Sequence, residues 1–116
     1  MTITSTSEQV RVDTDAHVLT ITLNRPEKLN SVTQSMSDAL VAIIEEANAD
    51  DEVRVIILTG SGQRSFCAGS DIASLDAYAT PWEFRNRTDY CDALRASRKP
   101  IIAAINGYAF GGGLET

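Results

Sequence analysis

Cysteine and histidine are scarce in this 116-residue chain, with two of the former and one of the latter. Cys67 and Cys91 are too few for a disulfide framework and lack the paired spacing of a metal site. A reduced compartment follows as the expectation, and no metal is expected. His17 stands in an alternating segment with no partner motif, so it reads as an ordinary hairpin residue. Positive charge is also short: 10 Lys and Arg stand against 16 Asp and Glu, a net charge of −6. Nucleic acid and anionic membranes are held by clustered Lys and Arg against phosphate, so neither is expected as a partner. A local basic patch for a small substrate is still compatible with that balance. No apolar run approaches the roughly 20 residues that span a bilayer. Residues 1–7 lack the basic start and apolar centre of a secretory signal, which predicts a cytoplasmic chain.

What is present suits one small domain, 43% hydrophobic and 22% charged, with a disordered or flexible polar lead-in expected over residues 1–8. Gln9 to Asp13 and His17 to Leu23 both alternate with period two around Thr14-Asp15-Ala16, which predicts a β-hairpin. Pro26 interrupts strand pairing, so residues 24–30 read as a loop. Thr33 is the expected N-cap of a helix reaching about Ala49, with Met36, Leu40, Ile43, Ile44 and Ala47 as its apolar stripe. Residues 53–59 are short, β-branched and largely apolar, and predict a strand buried on both faces. Residues 65–71 read as a compact loop, 81–96 as a second long helix with Pro81 in its first turn, and 100–105 as another buried strand.

The run after Ile105 carries the first chemical signal. Gly111, Gly112 and Gly113 let the backbone turn sharply and leave amide N–H groups open to a ligand. A helix starting there would point unpaired N–H groups and the positive end of its dipole at an oxygen that becomes anionic. Glu115 follows Gly112 by three residues and would share its helical face. The glycines can equally end a strand, with Glu115 a solvated residue in a frayed tail. From these residues alone both readings stand.

Two longer segments, the second containing this run, stand out together: Phe66-Cys67-Ala68-Gly69-Ser70-Asp71-Ile72, and Lys99-Pro100-Ile101-Ile102-Ala103-Ala104-Ile105-Asn106-Gly107-Tyr108-Ala109-Phe110-Gly111-Gly112-Gly113-Leu114-Glu115. With Leu23-Asn24-Arg25-Pro26 and Leu29-Asn30 upstream, they resemble the crotonase superfamily, the enoyl-CoA hydratase/isomerase family. The resemblance covers nearly the whole chain after the lead-in. It implies an α/β fold, a crotonase-like spiral of ββα units, truncated, with residues 9–116 forming the N-terminal portion of the domain. It implies an acyl-CoA thioester as substrate, with coenzyme A as part of that substrate and no separate cofactor. The thioester oxygen would be held by the N–H groups of Ser70 and Gly112. Glu115 matches the glutamate that activates water in hydratases, which favours addition of water to a trans-2-enoyl-CoA, as in fatty-acid β-oxidation. Isomerase, dehalogenase and hydrolase branches are the alternatives, as is a noncatalytic CoA-binding or assembly fragment.

The same resemblance puts backbone contacts to the adenine at Ala68, and pantetheine and thioester beside Lys28, Leu29 and Asn30. Lys28 or Arg25 would meet a CoA phosphate, while Arg25 can equally pack its stem over the loop and pair with a surface carboxylate. Asp71 would orient the pocket loop or cap a helix, and the Ser70 hydroxyl would at most act as a cap. Cys67 and Cys91 read as small packing residues, and Trp82 and Phe84 as packing or lid residues. The family's second catalytic glutamate and its trimer-forming helices lie in a region beyond Thr116. Homotrimers or hexamers are implied for the full-length family. Thr116 stands where an apolar residue is common, which suggests an altered end. The 116 residues are therefore expected to be inactive alone, and to expose apolar surface.

Overall fold

The computed structural model describes residues 3–69, 71, 80–85, 89–110, 113 and 116, with Phe84 and Arg85 in backbone only. The expected hairpin forms from β1 (Val10–Asp15) and β2 (Val18–Leu23), antiparallel with Val10 opposite Leu23 and Asp15 opposite Val18. Ala16 and His17 join them in left-handed conformation, φ 50° and 69°, the twist a two-residue hairpin turn requires. His17 therefore belongs to the turn rather than to the strand. Its ring Nδ1 lies 2.8 Å from the Glu52 carbonyl oxygen, which ties the turn to the loop before the next strand. In the segment expected as a lead-in, Ile3 is buried and packs in the core, and the Ser5 hydroxyl donates to the Ser7 carbonyl at 2.9 Å.

Helix α1 (Gln34–Ala49) begins where the sequence predicts, with the Thr33 hydroxyl accepting from the Met36 amide at 3.2 Å. Its expected stripe, Met36, Leu40, Ile43, Ile44 and Ala47, is buried in full. The helix carries the chain from β2 to β3 (Val55–Gly60), which pairs parallel to β2, the crossover that parallel strands demand. Strand β5 (Ile101–Ala104) pairs parallel to β3 and completes a four-stranded sheet in the order β1-β2-β3-β5. Leu19, Ile21 and Leu23 of β2, Ile56 and Leu58 of β3 and the α1 stripe share one core. Each Leu, Ile or Met side chain among them contributes about 1.5–3 kcal/mol of burial free energy.

Three expectations need correction. Residues 65–67 are a strand, β4 (Ser65–Cys67), paired parallel to β6 (Tyr108–Ala109) in a second small sheet. Three residues are too few to show a period, and the partner strand is remote in sequence. The single long helix over 81–96 is interrupted: α2 (Pro81–Arg85) and α3 (Tyr90–Ala96) are separate, and Asp89 is extended, φ −135° and ψ −167°. Its carboxylate accepts from the Cys91 amide at 3.0 Å while Asp92 accepts from the Asp89 amide at 2.9 Å. Aspartate satisfies a helix start better than a helix interior. Finally, neither apolar strand is fully buried on both faces. In β3 burial alternates along the strand, and in β5 only Ile101 is partly buried. The expected exposed apolar surface is present, with Ile102 at 55%, Ile105 at 61%, Tyr108 at 54% and Phe110 at 53% exposure. Among the described residues no helix is long and apolar enough to cross a membrane.

Candidate active site

Strands β4 and β6 run parallel, with Ser65 opposite Tyr108 and Cys67 opposite Ala109. Parallel strands release their chains at the same end, and ligands in α/β folds gather beyond the carboxyl ends of strands. Here the two emerging segments stay in contact. The Phe110 amide donates to the Cys67 carbonyl at 3.1 Å, and the Gly113 amide donates back to the Phe110 carbonyl at 2.7 Å. Gly113 lies flat against Cys67: a Cβ on it would sit 1.9 Å from the Cys67 carbonyl oxygen. No side chain fits at that position, so the third glycine of the cluster is required by backbone-to-backbone packing. The structure thus brings Gly113, the last glycine of the cluster, onto the Cys67 end of the 67–69 segment. Ser70, Gly112 and Glu115, the expected donors and carboxylate, lie outside the described residues, as does the helix expected after Asp71.

The loop upstream is held by two asparagines. Asn30 is fully buried in left-handed conformation, φ 58°, after Leu29 at 55°. Its amide nitrogen donates to the carbonyls of Ser61 (3.0 Å) and Ser65 (2.9 Å), and its oxygen accepts from the Arg25 amide at 2.9 Å. Asn106 grips the same turn from the other side. Its nitrogen donates to Gly62 (3.0 Å) and Ser65 (3.1 Å), and its oxygen accepts from the Gly60 amide at 3.2 Å. The Ser65 hydroxyl donates to the Leu29 carbonyl at 2.7 Å. Both asparagines stand in the quoted motifs, but their side-chain roles were not legible there. Asn106-Gly107 reads as a turn dipeptide, which accounts for the asparagine without any partner.

Arg25 resolves one of the open alternatives. Its guanidinium Nη1 forms an ion pair with the Asp71 carboxylate and donates to the Ser31 hydroxyl at 2.9 Å and carbonyl at 3.3 Å. The partner carboxylate is largely buried, not a surface one: the two side chains are only 14% and 12% exposed. Asp71 accordingly ties the 68–71 segment to the 25–31 loop. Val32 reinforces the tie, its amide donating to the Gly69 carbonyl at 2.7 Å and its carbonyl accepting from the Asp71 amide at 2.8 Å. Gly69 takes φ 92°, which favours glycine. Lys28 is exposed, while Leu29 and Ala68 are half-buried at the rim of this assembly.

Behind it sits Tyr90, buried at the start of α3, with its amide donating to the Ser37 hydroxyl at 3.1 Å. The Thr116 hydroxyl donates to the Tyr90 oxygen at 3.5 Å. Burial pushes the Tyr90 phenol well above its ordinary value, and burial likewise raises the Cys67 thiol. A thiol kept protonated is no nucleophile, in keeping with the packing role expected for Cys67. Cys91 is half-buried and unbridged, and Trp82 is 71% exposed. Among the described residues no group of three or more His, Cys, Asp or Glu could hold a metal ion. The described groups converging on the ends of β4 and β6 are mainly backbone amides and carbonyls.

Comparison with known proteins gives a consistent picture. Residues 13–116 match the family described as enoyl-CoA hydratase/isomerase. The chain is 40% identical over 111 residues to (E)-benzylidenesuccinyl-CoA hydratase of Thauera aromatica, covering 91% of this chain and 42% of that protein. It is 38% identical over 115 residues to carnitinyl-CoA dehydratase of Proteus mirabilis, covering 94% and 42%. The crystal structure of an enoyl-CoA hydratase from Bacillus anthracis superposes with a TM-score of 0.82 at 36% identity, over 93% of this chain and 43% of that one. The chain therefore spans about two-fifths of the length of the relatives it matches, and its architecture is the corresponding part of the crotonase fold.

Proposed function

Because the chain belongs to the enoyl-CoA hydratase/isomerase family, we propose that it contributes the thioester-binding half of a hydratase acting on a trans-2-enoyl-CoA. In this reading the N–H groups of Ser70 and Gly112 hold the thioester oxygen. Glu115 takes a proton from water as its oxygen bonds to the β-carbon. Negative charge moves through the α-carbon to the thioester oxygen, and the α-carbon then takes a proton from an acid, Glu115 itself or the family's second glutamate, as the thioester carbonyl re-forms. Donors fixed in advance need no reorganisation as that charge develops, which is why backbone amides suit the task. Coenzyme A enters as part of the substrate, so no separate cofactor or metal is needed. The exposed Lys28 is available to a CoA phosphate, while Ala68 and Leu29 line its approach.

The observation that carries this reading is the seat of Gly113 on the Cys67 carbonyl beside the parallel β4 and β6 pair. It joins the two motifs that must face each other if both amides serve one oxygen. The bridge made by Val32 gives further support. Its bonds to the Gly69 carbonyl and from the Asp71 amide hold both neighbours of the proposed donor to one residue. The relatives named as a CoA-thioester hydratase and a CoA-thioester dehydratase are named for opposite directions of one type of reaction, which supports the reading.

The 116 residues alone should bind acetyl-CoA without hydrating crotonyl-CoA, because Glu115 would have to manage both proton transfers unaided. Supplying the C-terminal portion of a hydratase relative as a separate chain should bring turnover. Substituting Gly112→Pro, which removes the amide proton, should then lower kcat by about 10²–10³-fold. Hydration by the chain alone at the rate of the complemented protein would end the half-site proposal. Acetyl-CoA binding with no turnover after complementation would move the assignment to a noncatalytic CoA-binding piece.

A further inference from the structure

The seam between α1 and α3 holds a groove that no step of the proposed reaction uses. We infer that it is a docking site for a cationic amphipathic helix of another protein, which lays apolar side chains on the groove floor and sets Lys or Arg against its acidic rim. This goes beyond the hydratase reading and needs none of its residues.

The groove has a volume of about 450 Å³, and its floor is Val41 and Ala42 of α1 with Ala93 and Ala96 of α3. A second hollow of about 270 Å³ shares Ala93 and Ala96 and continues the groove toward Ile44, Asn48 and Ser97. Side chains this short let a third helix approach both of the others closely. From Asp38 to Asn48 the axis of α1 rises about 15 Å, the length of about ten residues of a docked helix. Charge then decides what fits. Asp38 and Glu45 of α1 and Asp92 of α3 stand on the rim, all three exposed. Among the described residues none of the three pairs with a cation. Asp38 accepts from the neutral Gln34 side chain at 3.0 Å and Asp92 from the Asp89 amide at 2.9 Å, bonds that leave the negative charge in place. Carboxylates on both helices thus border one apolar floor, and an occupant gains from Lys or Arg on each flank of an apolar face. A second copy of this chain is a poor occupant, since its net charge of −6 meets the same sign.

The test is fluorescence anisotropy of a labelled peptide of about 14 residues, long enough to hold a helix on contact, with leucines at helical spacing and lysines on both flanks. The 116-residue chain should bind it saturably, and more weakly as salt rises. Asp38→Lys together with Glu45→Lys should weaken binding about tenfold. Asp13→Lys together with Asp15→Lys, an equal change of charge at exposed positions of β1, should change it by less than about twofold. Ala42→Trp, which fills the groove from an exposed position, should weaken binding and keep its salt dependence. In the unsubstituted chain the methyl resonances of Val41, Ala42, Ala93 and Ala96 should move on titration, a readout that needs no variant. Equal losses from the two charge pairs, or equal binding of a peptide with serine in place of leucine, overturn the inference in favour of general attraction to an acidic chain. Unmoved methyls, or no binding, overturn it outright. Displacement of the peptide by the C-terminal portion of a hydratase relative would put the groove inside the domain, and a dimer that Ala42→Trp dissolves would give it to a second copy. Either result overturns the inference.

Discussion

Strands β3 and β5 are neighbours in one sheet, run parallel and are written in nearly the same residues, yet they meet opposite environments. Ile56 and Leu58 of β3 are 0% and 1% exposed, whereas their register partners on the same face of β5 are not buried: Ile101 is only partly buried and Ala103 is exposed. The difference is position. β3 lies between β2 and β5 and shares a core with α1, while β5 is the last strand of the described sheet. An apolar β-branched run states what a strand can bury, and the surrounding layers decide what it does bury.

The sharpest way to break that comparison is to truncate both strands. Leu58→Ala should cost about 2–5 kcal/mol in a urea titration, because the buried site cannot collapse fully. Ile102→Ala should change stability by about 0.5 kcal/mol or less, as exposed substitutions do. Equal losses would mean that β5 is covered in solution, by a second copy or by other chain. The two asparagine hubs offer a second contrast. Asn30→Ala orphans the Ser61 carbonyl and the Arg25 amide in a buried setting and should cost about 1–3 kcal/mol. Asn106→Ala should cost less in the same titration, since Asn106 is only half-buried and water can take its place. A larger loss at Asn106 would reverse the ranking of the two hubs.

The smallest effect concerns pH. Burial raises both the Cys67 thiol and the Tyr90 phenol, so the folded chain holds these protons more tightly than the unfolded chain. Their contribution is complete below the ordinary thiol and phenol values, about 8.5 and 10. It is lost as pH rises above those values, because the unfolded chain releases protons that the folded chain keeps. Calorimetric Tm should therefore fall through that alkaline window, and Tyr90→Phe should flatten the decline. A Tm that rises there would contradict the buried, neutral state of both groups.

Much of the fold was legible because its signals are local. The α1 stripe, the Thr33 cap and the alternation of β1 and β2 are periodic patterns read over a few turns or strand lengths. The break at Asp89 was not, since aromatic and apolar residues on both sides continue a helical pattern and only the capping geometry reveals the start of α3. Strand β4 escaped for the opposite reason, being three residues long with a remote partner. In the candidate site, the two motifs were legible as motifs, and Arg25 was legible as a residue with two competing uses. Which use prevails depends on Asp71, which the bonds of Val32 with Gly69 and Asp71 hold beside the 25–31 loop.

Sequence by itself determined the family, the hairpin, the first helix and the residue types offered to a thioester, because these are set by composition, period and short motifs. Only the tertiary structure decided that Gly113 lies on the Cys67 carbonyl, that Arg25 serves Asp71, and that two asparagines hold one turn. Those contacts join segments far apart along the chain. Their existence depends on the parallel pairing of β4 with β6 and of β2 with β3, which no local pattern encodes.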